Sequence, residues 1–172
     1  DDPLSVPSDT GRFAVLPTID LKDLRVGYCE DFGGAPVEQS IRETFRARLE
    51  VLRPQVKECR AADLDLGEMD RCFDILRAES FIVAFGRGIE ADPDSFGANI
   101  KDNVALGYGM SLADRGWAHA EQSRILRKFN ALMAEFDVIV LPTSPVSPFA
   151  WTQSHAEEID GHQLDTYYRW LA

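Results

Sequence analysis

The spacing of apolar residues predicts a helix in the first third of the chain. From position 37 to 52 these residues recur every three or four positions, the period of one helix face: Val37, Ile41, Phe45, Leu49 and Leu52. Pro54 ends the pattern. A short apolar run at 24–29 precedes this helix and an alternating run at 55–60 follows it, so both are expected to be strands. The order strand, helix, strand predicts a βαβ unit with parallel strands.

The middle of the chain carries further helical patterns. A stripe of apolar residues over 66–80 predicts a helix that ends near Gly86 and Gly88, because glycine favours helix ends. A shorter helix is predicted from about 94 to 108, where glycines again interrupt the pattern.

The last predicted helix and strand lie in the final third. Ser111 and Asp114 have the spacing of a capping box, which marks a helix start. The unbroken apolar run at 138–141 predicts a strand buried on both faces, and Pro142 ends it. The helix between them is expected to bury its apolar residues, which are Trp117, Ala120, Phe129, Leu132, Met133 and Phe136.

Together these patterns predict an α/β chain, with about three strands (the βαβ unit and the later buried strand) and four to five helices. The prolines within residues 1–20 predict an extended segment that leads into the fold. Three strands are few for this much helix, and the faces of such a sheet need partners that the chain does not supply. Residues 1–172 are therefore expected to form a single partial domain.

Charge and composition restrict the partners. The chain has 172 residues, with 18 basic and 29 acidic side chains and a net charge of −11. This balance argues against nucleic acid and against an anionic membrane, since both attract positive surfaces. The hydrophobic share of 45% and the charged share of 27% are typical of a globular domain. No apolar run nears the roughly 20 residues that span a bilayer, and residues 1–4 do not have the features of a signal peptide.

The residues alone predict no catalytic or metal site. Ser144 lies between prolines, without a GxSxG motif or a histidine placed to activate it. His155 and His162 match no familiar spacing of metal ligands. Gly33–Gly34 lies between a strand and a helix, but GxGxxG is absent and the acidic residues before it would repel phosphate.

The cysteines indicate a reducing compartment. Cys29, Cys59 and Cys72 are odd in number and form no CxxC pair. Reduced thiols in a cytoplasmic protein are the simplest interpretation.

Five stretches of the chain carry a resemblance to a known family: Asp2–Pro7, Leu21–Tyr28, Asp31–Val37, Phe136–Pro145, and Ile159–Gly161 followed by Leu164–Tyr168. In this order and spacing they resemble the later part of the amidase signature family. That family includes bacterial amidases, fatty acid amide hydrolase and the A subunit of the glutamyl-tRNA amidotransferase. The resemblance covers almost the whole chain.

The resemblance implies a fold and a chemistry. The chain would be a fragment of the larger amidase α/β/α sandwich, from its C-terminal part. Family members cleave the carbon–nitrogen bond of amides with a serine nucleophile, a second serine in a cis peptide and a lysine base, through an acyl-enzyme. The substrate is a small-molecule amide, and no metal or organic cofactor is needed.

This sequence departs from the family in its catalytic residues. The glycine- and serine-rich signature that carries both serines is absent, and so is the upstream lysine. None of the lysines considered for that role matches the motif: Lys22, Lys57, Lys101 and Lys128. No catalytic residue is therefore assigned to this chain, and the chain alone is expected to lack amidase activity.

The resemblance also implies a weak set of substrate-pocket residues. In the family the loop after the strand matching 138–141 comes near the substrate, which makes Thr143 and Ser144 candidates, followed by Phe149 and Trp151. The helical segment around Asn103 is a further candidate. At the matching place the A subunit of the amidotransferase carries an arginine that holds an acidic substrate. The absence of arginine from 101–104 favours a neutral amide.

Two alternatives to the amidase fragment remain open at this point. One is a piece similar to the A subunit of the glutamyl-tRNA amidotransferase, and the other is a free-standing, non-catalytic α/β interaction module. An amidase fragment would leave sheet edges and apolar faces bare, so self-association through those edges is expected of it. A natural module would keep such surfaces small.

Overall fold

A computed structural model describes residues 11, 14–15, 18–153, 155–164 and 166. In chain order the elements are β1 Arg25–Tyr28, α1 Gln39–Leu52, β2 Glu58–Ala61, α2 Met69–Ala91, α3 Ala98–Tyr108, α4 Leu112–Glu135, β3 Val138–Val140, β4 Glu158–Ile159 and β5 His162–Gln163. The α/β class predicted from the sequence is confirmed. Most of the predicted extended segment at 1–20 lies outside the described residues, as does much of the 164–168 stretch.

Strands β1, β2 and β3 form one parallel sheet in the order β2-β1-β3. Val26 of β1 lies beside Cys59 of β2 on one side and beside Val138 of β3 on the other. The predicted βαβ unit is confirmed as β1, α1 and β2. The second strand begins three residues later than predicted, because Pro54 lies in a 3-10 turn at Arg53–Gln55.

Helices lie against both faces of this sheet. On one face the ring of Phe136, which follows α4, packs so closely on Gly27 that a Cβ there would lie 2.9 Å from the ring. Tyr28 points to the opposite face, since side chains alternate along a strand. There the guanidinium of Arg53, just after α1, lies 5.4 Å from the centre of the Tyr28 ring. The result is an α/β/α layering.

Helix α2 is longer than the sequence predicted. It runs through Gly86 and Gly88 and ends at Ala91. Both glycines lie inside the helix and leave room for aromatic side chains: a Cβ at Gly86 would lie 2.8 Å from the Tyr108 hydroxyl, and a Cβ at Gly88 would lie 2.7 Å from the Phe96 ring. The close contact lets α3 and the turn before it pack against α2.

The start of α4 is confirmed, whereas part of its predicted burial is wrong. Ser111 and Asp114 form the predicted capping box. Leu132 and Phe136 are buried against Ala62 and Leu64. Three of the residues predicted to be buried are exposed instead, namely Ala120, Phe129 and Met133. Phe129 and Met133 share a side of the helix that no described element covers, whereas Ala120 lies about 180° around the helix from Phe129 and is exposed on the other side.

The strand predicted at 138–141 is confirmed as β3, but not its burial on both faces. Val138 is 39% exposed. Within the described sheet β3 pairs only with β1, so it lies at an edge and its outer side has no neighbouring strand. An unbroken apolar run indicates a strand with neighbours on both sides. Among the described residues β3 has a neighbouring strand on one side only, so part of it is exposed.

An ion pair fixes β3 to β1. The carboxylate of Asp137 accepts hydrogen bonds from the backbone N–H, Nε and Nη2 of Arg25, at 2.8, 3.1 and 2.8 Å. In return the Asp137 N–H donates to the Arg25 carbonyl at 2.9 Å. These bonds, foremost those of the guanidinium, lower the pKa of Asp137 from its ordinary 3.8 to about 2. The charged form of Asp137 is therefore the form that holds the two strands in register.

A matched pair of glycine substitutions tests the packing of α3 on α2. A Cβ at Gly107 would lie 2.7 Å from Ile82 Cδ1 and 2.8 Å from the Ala78 carbonyl oxygen. At Gly116, early in α4, a Cβ would meet nothing within 4 Å. We expect Gly107→Ala to lower the free energy of unfolding by about 1–3 kcal/mol through overpacking. Gly116→Ala should raise it by about 0.5–1 kcal/mol through helix propensity. Urea unfolding followed by circular dichroism measures both, and equal effects would contradict the packing.

The pKa of Asp137 predicts an acid-dependent loss of stability. Because its folded pKa is depressed, Asp137 contributes stability above its unfolded pKa near 3.8, and the contribution disappears as pH falls toward about 2. Asp137→Asn should therefore be less stable than the parent at pH 7, with a difference that shrinks steadily below pH 4. Asp102→Asn, at an exposed carboxylate of α3, is the control. Thermal unfolding at several pH values gives the comparison, and a constant difference would refute the role of the charge.

Candidate functional site

The candidate site lies at the carboxyl edge of the parallel sheet. Because β1, β2 and β3 are parallel, the segments that follow them all begin at the same edge. Ligands of open parallel sheets bind in crevices outside this edge. Two clefts occur there, one between α1 and the segment after β3, and one between the segments after β1 and β2.

The segment after β3 is held to the beginning of α1 by Glu38. The Glu38 carboxylate accepts from the backbone N–H of Ser147 at 3.0 Å and from its hydroxyl at 2.6 Å. The N–H of Glu38 donates to the Pro145 carbonyl at 2.9 Å. The Ser147 hydroxyl is the main cause that lowers the pKa of Glu38. We refer to this group of bonds as the Glu38 clamp.

A distant hairpin supplies the cap of α1. Glu38 precedes the helix but makes no capping bond with its side chain. Instead Oδ2 of Asp160 accepts from the Gln39 N–H at 2.6 Å. Asp160 and Gly161 form the turn between β4 and β5, with φ values of 47° and 85°, the left-handed pair that a two-residue hairpin turn requires. The negative charge at the helix N-terminus is favourable.

Between α1 and the clamped segment lies a cleft of about 560 Å³. Its lining combines four apolar side chains with five hydroxyl groups and one guanidinium, from Ser40, Ile41, Thr44, Phe45, Arg48, Leu141, Pro142, Thr143, Ser144 and Ser147. This lining includes no histidine, cysteine, lysine or carboxylate. The hydroxyls and Arg48 are suited to orienting a polar group of a ligand over an apolar surface, but they contain no nucleophile paired with a base.

The second cleft has a volume of about 260 Å³ and an acidic rim. It is lined by 32–36 after β1 and by 65–67 with the first residues of α2. The Gly33 N–H donates to Asp31 Oδ1 at 3.0 Å, and both Asp65 and Asp70 line the opening. These carboxylates disfavour a phosphate, in agreement with the sequence-based expectation for Gly33–Gly34.

The structure brings two of the predicted pocket residues to the main cleft. Thr143 and Ser144 both line it. The Ser144 hydroxyl donates to the Val146 carbonyl at 2.9 Å and so helps to shape the segment. Phe149 is 45% exposed and Trp151 is 93% exposed, and neither lines the cleft.

Asn103 lies elsewhere and is satisfied within the protein. It is buried in α3, where its Oδ1 accepts from Arg77 of α2 and its Nδ2 donates to the Asn99 carbonyl at 2.6 Å. It lines neither cleft at the sheet edge. A pocket role for Asn103, Phe149 and Trp151 stays a prediction.

Sequence reasoning missed the α1 side of the cleft. Ser40, Thr44 and Arg48 are four positions apart and share one face of the helix. This polar row runs beside the apolar stripe at Ile41 and Phe45, so the signal is present in the sequence. Only the fold, which places the segment after β3 opposite this row, shows that the row lines a cleft.

Other kinds of site find no support among the described residues. In that part of the chain, no group of three or more His, Cys, Asp or Glu side chains is arranged to hold a metal ion. None of the described helices combines the length and apolarity needed to cross a membrane. The three cysteines are unbridged, and burial raises the pKa of the Cys72 thiol.

Comparisons with known proteins find similarity to an amidotransferase subunit and to amidases. No family model matches the chain. Over 174 residues it is 28% identical to the A subunit of the glutamyl-tRNA(Gln) amidotransferase from Lysinibacillus sphaericus, a match that covers 87% of this chain and 36% of that protein. The chain therefore spans about a third of the length of this curated relative.

Two solved structures share the fold. One is a bacterial aryl acylamidase of the amidase signature enzymes, with a TM-score of 0.74 at 14% identity, covering 88% of this chain and 34% of the other. The second is an amidase with a TM-score of 0.74 at 19% identity, covering 86% and 34%. These likenesses confirm the predicted fold class.

Neutralising Glu38 tests the clamp. Glu38→Gln should weaken the bonds to Ser147 and speed amide hydrogen exchange in residues 143–147, while α1 keeps its protection. Since the pKa of Glu38 is lowered, the clamp holds above the usual titration range of the carboxyl and is lost as acid protonates it. Glu43→Gln, at an exposed position of α1, should leave the segment unchanged. NMR measures the amide exchange rates at one fixed pH, and equal rates for residues 143–147 in both variants would contradict the clamp.

Proposed function

We propose that this chain, which is related to the amidase signature enzymes, supplies the scaffold and one wall of the substrate pocket in a longer amidase-type hydrolase. In that protein the carbon–nitrogen bond of an amide is cleaved through a serine acyl-enzyme. The serine nucleophile and the lysine base belong to polypeptide outside these residues. The chain alone does not turn over amides.

The observation that carries this proposal is the cleft between α1 and the clamped segment. It opens at the sheet edge where parallel α/β folds bind ligands. Thr143 and Ser144, the residues proposed for the pocket from the family resemblance, face the polar row of α1 across it. A lining with hydroxyls and no nucleophile paired with a base fits a binding wall. The coverage of about a third of the related proteins fits a catalytic apparatus placed elsewhere.

A second candidate is a piece of a protein similar to the A subunit of the amidotransferase. The curated relative described above favours it. Because that relative is a subunit of a glutamyl-tRNA(Gln) amidotransferase, an amide that also carries a carboxylate, such as glutamine, is a substrate candidate equal to a neutral amide.

A third candidate is the free-standing interaction module, for which the isolated chain should be a stable monomer. Self-association through the sheet edges is proposed for the isolated chain. It is supported by β3, whose outer side has no neighbouring strand in the described part of the chain, and by the exposed Val138. Absence of nucleic-acid and membrane partners and a cytoplasmic location remain predictions from charge and cysteine content.

The test compares the native gene product with the 172-residue chain. Intact mass spectrometry should find a product longer than this chain, and that product should hydrolyse small amides whereas the isolated chain should not exceed a buffer blank. Parallel assays with glutamine and a neutral alkyl amide separate the first two candidates. A native product of 172 residues that stays monomeric by light scattering would favour the third. Amide turnover by the isolated chain would overturn the proposal.

A substitution in α1 tests the cleft itself. The Thr44 hydroxyl donates to the Ser40 carbonyl at 2.9 Å, so its oxygen can accept from bound substrate. In the longer protein Thr44→Val should raise KM by about threefold to tenfold with little change in kcat, the effect of losing one neutral hydrogen bond to bound substrate. Ser123→Ala is the control, because that hydroxyl lies on α4 and donates to the His119 carbonyl. Equal KM values in the two variants would show that α1 does not line the substrate pocket.

A further inference from the structure

Two carboxylates from different parts of the chain meet at the N-terminus of α1. Asp160, in the turn of the β4–β5 hairpin, accepts from the Gln39 N–H with its Oδ2 at 2.6 Å. Glu38 directly precedes the helix, yet its side chain makes no capping bond. It accepts instead from the N–H and the hydroxyl of Ser147, at 3.0 and 2.6 Å. One carboxylate therefore serves the helix, and the other serves the segment after β3.

The helix end offers Glu38 an alternative set of donors. Glu38 Oε2 also accepts from the hydroxyl of Ser40, the second residue of the helix, at 3.3 Å. The first N–H groups of a helix have no partner within it, and the side chain of the preceding residue is placed to accept from them. The positive end of the helix also attracts a carboxylate. If the Gln39 N–H lost its present acceptor, the Glu38 carboxylate would therefore turn toward the helix and away from Ser147.

The hairpin holds Asp160 in a fixed position. Ile159, the residue before it, is 3% exposed and anchors β4. The Gly161 N–H donates to Glu158 Oε1 at 3.1 Å, and the Gln163 side chain donates to Glu158 Oε2 at 2.6 Å. The first position of this turn has a positive φ, which aspartate, asparagine and glycine tolerate best. Asp160 lies outside the lining of the main cleft, so any effect it has there passes through other residues.

Ser147 connects the clamp to the main cleft. Its side chain lines the cleft together with Thr143 and Ser144. The Ser144 hydroxyl donates to a carbonyl within the segment at 2.9 Å, so these residues move as one short unit. Without the Glu38 carboxylate the segment would keep the bond to the Pro145 carbonyl but would lose both bonds at Ser147. The wall of the cleft opposite α1 would then be held less firmly.

We infer that Asp160 is a positioning residue for the main cleft: by capping α1 it leaves the Glu38 carboxylate to Ser147, and so fixes Thr143 and Ser144 opposite the helix. The β4–β5 hairpin thereby affects a cleft that Asp160 does not line. This inference rests on the proposed function, in which the cleft binds the amide substrate. The effect is on binding and not on the chemical step, because neither carboxylate lines the cleft.

Substitutions that keep the hairpin turn test this coupling. In the longer native protein Asp160→Gly removes the carboxylate, while glycine tolerates the positive φ and the turn still forms. Amide exchange in residues 143–147, followed by mass spectrometry, should become several-fold faster. KM for a small amide such as propionamide should rise about threefold to tenfold with little change in kcat. Unchanged exchange in this variant would overturn the inference.

Two further variants separate capping from general damage to the hairpin. Asp160→Asn keeps a side-chain oxygen that can cap the helix, and should restore exchange and KM to near the parent values. Gln163→Ala removes a bond within the same hairpin and should leave residues 143–147 unchanged. If Gln163→Ala speeds their exchange as much as Asp160→Gly does, the effect is not due to the cap and the inference is wrong.

A double-mutant cycle shows whether the effect passes through Glu38. In the Glu38→Gln background the segment has already lost its charged acceptor, so adding Asp160→Gly should change the exchange of residues 143–147 less than twofold. Additive effects of the two substitutions would refute the coupling. The exchange measurement needs no turnover. Coupled exchange in a longer protein that hydrolyses no amide would refute the proposed function alone, and amide turnover with uncoupled exchange would refute this inference alone.

Discussion

The pairing of β3 with β1 is the constraint on which the rest of the arrangement depends. The Arg25–Asp137 bonds join residues 112 positions apart. They set the register of the two strands, and thereby fix where α4 ends and where the following segment begins. Phe136 is then placed over Gly27, and Thr143 and Ser144 arrive beside α1. One exposed ion pair contributes little to stability by itself, but here it is combined with backbone bonds and directs a buried contact.

Arginine side chains connect several elements of this acidic protein. Arg25, Arg60, Arg115 and Arg124 each connect an element to another segment, through carboxylates or carbonyl oxygens. The planar guanidinium donates several bonds in a fixed geometry and stacks on aromatic rings, as Arg60 does on Phe136. In a chain with a net charge of −11 these contacts also reduce repulsion between carboxylates.

The sequence predicted elements better than it predicted burial. The stripe in α1, the βαβ order and the capping box at Ser111 are local patterns, and the structure has all three. Phe129 and Met133 are apolar and lie at helical spacing, yet burying them requires a packing partner that the described part of the chain does not provide. The candidate site was likewise predicted only in part. The loop residues Thr143 and Ser144 were predicted through family resemblance, whereas the α1 row opposite them depends on a tertiary contact that no local pattern contains.

The anchoring of the segment after β3 has a consequence for how the protein can vary. Ser147 is held by Glu38 and Asp160 is held by Gln39, so both ends of the span between them are attached at the N-terminus of α1, to its first residue and to the residue before it. Lengthening a loop with fixed ends costs little, about 0.6 kcal/mol for each doubling. Insertions between 148 and 157 would leave the helix and its cap intact while changing the surface that carries Phe149 and Trp151. Added length in this span would therefore cost the fold of this chain little.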